Sequence, residues 1–113
     1  MITVRSPLVL KGLPPNRWEL YFDVGELFSE TTPFGDFLEQ IRTALAAEAP
    51  AELRLQPPPQ DHDDCVEGKL QWGDHVFDVY YERALSYFTV AGSDEDTMQR
   101  ALALIRPLVV TSA

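Results

Sequence analysis

Asp61, His62, Asp63, Asp64 and Cys65 stand side by side, and each carries a side chain that can ligate a metal, move a proton or hold charge. Three prolines, Pro57, Pro58 and Pro59, stiffen the approach to them. Together with His75 they include chemically suitable zinc ligands. The spacing does not support a site, because no Cys-x-x-Cys or His-x-x-x-His pair anchors it. His62 and Cys65 are the candidate ligands of that reading, and the expectation is no metal. A nucleophilic Cys65 would need a base and an orienting acid. His62 and His75 could be that base, but the neighbouring carboxylates oppose the thiolate. A phosphate-cradling glycine loop, a nucleophile elbow and a dinucleotide fingerprint are all missing from the sequence. No residue is nominated as catalytic, no cofactor is expected, and the chain is not read as an enzyme.

The acids make a stronger case together than singly. Eighteen acidic residues face nine basic ones, for a net charge of −9 and a pI near 4.5. A field of that sign repels nucleic acid and anionic membranes and draws cationic partners. Between residues 61 and 82, Asp61, Asp63, Asp64, Glu67, Asp74, Asp78 and Glu82 are set against Lys69 alone. Asp94, Glu95 and Asp96 form a second cluster, which helix capping explains.

These side chains need elements to hold them. "ITVRSPLVL" alternates apolar residues from Ile2 to Leu10, a strand pattern that Pro7 pushes to a sheet edge. After the turn "LPPN", the run "RWELYFDV" puts Trp18, Leu20, Phe22 and Val24 on one face, which predicts a strand. Thr32 and Pro33 signal a helix start, and Phe34, Phe37, Leu38, Ile41 and Leu45 form its apolar stripe. That helix should end near Glu48, ahead of Pro50, with "ELRL" as a short strand beyond it.

Gly73-Asp74 suits a two-residue hairpin loop. That loop sets Trp72 opposite His75, Leu70 opposite Phe77, Gly68 opposite Val79 and Val66 opposite Tyr81, all on one face. Lys69 then faces Asp78 on the other side. A turn around Arg83-Ala84 leads to the strand "LSYFTV", with Tyr87 beside Tyr80 on the outer face. Ser93 is the expected cap of a final helix with Met98, Ala101, Leu102 and Ile105 as its core stripe. Pro107 should end it, and "LVV" reads as a terminal edge strand.

The expected fold is a single α+β domain over residues 1–113. Its order is β-β-α-(β)-β-β-β-α, an antiparallel sheet with two helices packed on one face. The outer sheet face would join the acidic loop into one negative surface carrying tyrosines. A lone cysteine allows no intramolecular disulfide. The start lacks the apolar run of a signal peptide, and no stretch has the length of a membrane span. The compartment expected is the cytoplasm.

The run "WGDHVFDVYYERALSYFTVAGSDEDTMQRALALI" resembles small acidic bacterial immunity proteins of polymorphic or contact-dependent toxin systems in its architecture and composition. The resemblance covers about the last third of the chain. It implies an inhibitor that binds and neutralises a basic partner such as a toxin. Asp61, Asp63, Asp64, Asp78, Tyr80, Glu82 and Tyr87 are then the contact candidates, acids for steering and tyrosines as anchors. Two alternatives stay open: a phosphate-mimicking inhibitor or regulatory adaptor of a nucleic-acid enzyme, and a small metal-binding protein or enzyme using the Asp61–Cys65 loop. The outer face also allows a homodimer.

Overall fold

The computed structural model describes residues 2–24, 34–56, 65–82 and 87–111, apart from the side chains at 34–36, 55–56 and 65–66. The chain runs β1 (Ile2–Val4), β2 (Leu10–Leu13), β3 (Arg17–Asp23), α1 (Phe34–Ala46), β4 (Ala51–Gln56), β5 (Cys65–Trp72), β6 (His75–Glu82), β7 (Tyr87–Gly92), α2 (Glu95–Ile105) and β8 (Val109–Thr111). Six strands form an antiparallel sheet in the order β2-β3-β7-β6-β5-β4, and the fold is α+β.

Turn chemistry sets the register at its centre. Gly73 has φ 59°, the positive value that a primed two-residue turn requires and that only glycine adopts without steric cost. Trp72 therefore pairs with His75, Leu70 with Phe77, Gly68 with Val79 and Val66 with Tyr81, while Lys69 faces Asp78. Every cross-strand pair expected from the turn is present. β7 then pairs with β6 on one side and β3 on the other, so the chain returns to the middle of the sheet.

One face of the sheet is the core. Leu20, Phe22, Leu70, Trp72, Phe77, Phe88 and Val90 are all buried there. Phe22 and Phe88, neighbours across the β3–β7 pair, stack with centroids 4.3 Å apart. α1 packs on the β4–β5 half through a stripe that includes Leu38, Ile41 and Leu45, while its Phe37 meets Phe88 of β7 at 6.0 Å, and α2 lays Met98, Ala101, Leu102 and Ile105 over the β2–β3–β7 half. Each such large apolar side chain contributes about 1.5–3 kcal/mol on burial.

Three local expectations are corrected. The N-terminal apolar run is not one strand. It breaks after Val4, and Leu8 is buried outside any strand before β2 begins at Leu10. Pro7 lacks the N–H a continuous ladder needs, which accounts for the break. The "LVV" strand does not join the main sheet but pairs in parallel with β1, Ile2 beside Val109. The helix cap is Asp94 rather than Ser93, because the Asp94 carboxylate accepts the Thr97 backbone N–H at 3.1 Å. Asp94 has extended geometry (φ −117°, ψ 117°), as an N-cap requires. Thr32, Pro33 and the Arg83-Ala84 turn lie outside the described residues.

Candidate functional site

The outer face of the sheet can be laid out row by row from the strand registers. The first row runs Asp23, Tyr87, Glu82 across β3, β7 and β6. The second runs Tyr21, Thr89, Tyr80, Glu67 across β3, β7, β6 and β5. The third runs Lys11, Glu19, Ala91, Asp78, Lys69, Arg54 from β2 to β4. Facing residues within a row are direct cross-strand neighbours, and adjacent rows make the diagonal contacts.

β7 supplies only short side chains, Thr89 and Ala91, to the middle of the second and third rows. Longer ones stand on both sides of it, so the face is hollowed along its centre. The depression has a volume of about 840 Å³ and is lined by residues of β3 through β4, among them Arg17, Tyr21, Tyr80, Asp78 and Glu67. Thr89 lies at its floor and is buried, as is Ala91 on the same face of β7. The core helices pack on the opposite face, and among the described residues no helix covers this one.

Three tyrosines form a continuous row of rings at one end. Tyr21 stacks on Tyr87 with centroids 4.9 Å apart and planes 26° from parallel. Tyr87 meets Tyr80 at 6.1 Å and 41°. The Tyr80 hydroxyl donates to Glu82. The surroundings disfavour tyrosinate at two of these rings. Burial, then the Asp23 carboxylate, raise the Tyr21 hydroxyl above its ordinary pKa. Burial, then Glu82 and Glu19, do the same for Tyr87. Burial is the larger cause at both rings, and the carboxylates add to it, opposed at Tyr21 by Arg5.

The other end of the hollow is a lattice of ion pairs. Asp78 accepts from Lys69 and from Arg17, the latter at 3.3 Å, and Lys69 first, then Arg17, hold its carboxyl below the usual range. Arg17 also lies 3.7 Å from Glu19, and Arg54 pairs with Glu52 at 3.1 Å. The expectation of one continuous negative surface is therefore refined. Carboxylates and tyrosines dominate the rows of Tyr87 and Tyr80, and the row of Asp78 mixes both signs.

Among the residues singled out from sequence, Tyr80, Glu82 and Tyr87 come together, and Asp78 stands one row away within the ion-pair lattice. Asp61, His62, Asp63 and Asp64 lie outside the described residues. Cys65 opens β5 opposite Glu82, at the acid–tyrosine end of the sheet, and it directly follows Asp64 in the chain. Among the described residues no three histidine, cysteine, aspartate or glutamate side chains come together as metal ligands. No helix among them is long and apolar enough to cross a membrane.

Tyr21 and Glu19 belong to the site and were not singled out, and Glu67, named in the acidic run, was not among the contact candidates. The signal for Tyr21 was present in its outward place in "RWELYFDV". Its neighbour across the sheet, β7, lies far along the chain, and periodicity cannot show which strands pair. Trp72, by contrast, serves the core: it is buried, donates its indole N–H to the Leu45 carbonyl at 2.8 Å, and lies under the Arg100 guanidinium at 5.0 Å. Compared with protein families, with curated proteins and with solved structures, the chain finds no match.

Proposed function

We propose that this chain is an acidic protein-binding domain of the immunity or antitoxin type, which receives a basic partner such as a bacterial toxin on its open sheet face. The observation that carries this reading is the row Tyr21, Tyr87, Tyr80 beside Glu82 and Glu67, on a hollowed face that the helices leave uncovered. Aromatic rings that keep a polar tip supply large contact area at low entropic cost and are frequent anchors of protein interfaces. Carboxylates around them favour a cationic surface, and the net charge of −9 speeds its arrival. Asp61, Asp63 and Asp64 immediately precede β5 in the chain and belong to the proposed contact set with Asp78, Tyr80, Glu82 and Tyr87.

Phosphate mimicry is less well supported. It calls for a file of carboxylates, whereas the acids of this face alternate with tyrosines, Lys69 and Arg17. Self-association through the same face would bring two strongly negative molecules together. The test is capture from the native host by the wild type and by a Tyr80→Ala/Tyr87→Ala variant. A basic protein retained by the first and lost by the second supports the reading. Recovery of only neutral or acidic proteins, or equal recovery by both, refutes it.

A further inference from the structure

The tyrosine row has a composition suited to one kind of side chain. We propose that it is an arginine receptacle: a guanidinium of the partner lies against the Tyr21 and Tyr87 rings and donates to the Glu19 and Glu82 carboxylates. The inference rests on the reading of the open sheet face as a binding surface for a basic protein and names the group that enters it.

Geometry is the first support. Tyr21 is 43% exposed although it is stacked on Tyr87, so the ring pair is packed and still open to solvent. Tyr80 continues the row and, with Tyr21, walls the buried Thr89 between them. A cation over an aromatic ring is held by the ring's negative face when it comes within about 6 Å of the centroid. A planar guanidinium can also stack flat, which a compact ammonium cannot.

Charge is the second support. Glu82 is the direct cross-strand neighbour of Tyr87, and Glu19 is two residues from Tyr21 on the same face of β3. After burial, Glu82 on β6 and Glu19 on β3 raise the Tyr87 hydroxyl above its ordinary pKa, so carboxylates of two strands lie within electrostatic reach of it. The Tyr80 hydroxyl occupies one acceptor position of Glu82 and orients it, and a carboxylate has about four such positions. The guanidinium fork can satisfy acceptors in its plane while its face lies on a ring. Lys69 and Arg17 are engaged with Asp78, Arg17 also lies 3.7 Å from Glu19, and Arg5 pairs with Asp23 at 3.0 Å, so the nearby cations are themselves paired and the incoming guanidinium shares Glu19 with Arg17.

The test uses the intact protein with three blocked tripeptides as probes, Gly-Arg-Gly, Gly-Lys-Gly and Gly-citrulline-Gly, followed by NMR of the tyrosine ring and backbone signals. Citrulline keeps the planar shape and removes the charge. The arginine peptide should shift the Tyr21, Tyr80 and Tyr87 signals saturably, about threefold or more tighter than the lysine peptide. The citrulline peptide should leave them in place. Tyr87→Leu and Glu82→Gln should each weaken the arginine peptide several-fold, whereas Glu95→Gln on α2, which packs on the opposite face of the sheet, should not change it. The ring spectrum of each variant reports whether it is folded. Equal shifts from citrulline, shifts centred away from the tyrosines, or arginine binding unchanged in folded Tyr87→Leu would overturn the receptacle. The peptides probe the receptacle alone, so its failure is distinguishable from failure to capture any basic protein.

Discussion

Trp72 shows how one side chain joins three elements. It sits at the end of β5, its indole donates to the last turn of α1, and Arg100 of α2 covers its ring while pairing with Glu48. Trp72→Phe should keep most of the apolar contact and remove one of three donors to the Leu45 carbonyl, which also accepts from the Glu48 and Ala49 backbone N–H groups at 3.1 and 3.3 Å. A loss of about 0.5–1.5 kcal/mol in urea unfolding is expected, the net worth of one hydrogen bond. An unchanged midpoint would mean that the two backbone donors suffice. The position of Trp72 opposite His75 was legible in the hairpin sequence. Its bond to α1 was not, because a hairpin pattern carries no information about which helix lies over it. The same limit applied to Tyr21, whose place beside Tyr87 depends on a β3–β7 pairing between distant parts of the chain.

At the scale of elements, α2 gives the sharpest expectation. The Asp94 carboxylate accepts from the backbone N–H and the hydroxyl of Thr97, and these bonds, Thr97's hydroxyl first, hold its pKa below the ordinary aspartate value. A carboxyl held low binds its proton less readily in the folded state than in the unfolded one. Its stabilisation is therefore present above an unfolded pKa of about 3.9 and is lost as pH falls through the folded value. Asp94→Ala should lower the thermal midpoint at neutral pH, and the gap to wild type should close below about pH 4. A gap that persists in acid would show that the cap acts other than through its charge. Sequence placed this cap one residue early, since Ser93 and Asp94 are both good N-caps and only the backbone geometry chooses. Elements with strong periodicity, β3, β6 and α2, were legible nearly to their ends. β1 and β8 were legible as strands but not as partners, because their parallel pairing joins opposite ends of the chain.

The whole molecule combines two kinds of surface. One face of the sheet is sealed by two amphipathic helices, and the other holds a hollow with tyrosines and carboxylates at one end and ion pairs at the other. The acidic surplus is not confined to the described residues. Glu26, Glu30, Asp36, Asp61, Asp63 and Asp64 have side chains outside the described residues, against Arg83 alone among the bases. Composition alone therefore gave the sign of the proposed partner but no place for it to dock, and the hollow emerged only when β7 was found at the centre with Thr89 and Ala91 facing outward. Long-range steering by net charge and short-range anchoring by aromatic rings leave different kinetic signatures. The most direct measurement is the association and dissociation of the captured partner, followed against ionic strength for wild type and Tyr87→Leu. The account predicts an association rate that falls steeply with added salt in both proteins, and a dissociation rate about tenfold or more faster in the variant. A salt-independent association rate, or a dissociation rate untouched by loss of the Tyr87 ring, would contradict it.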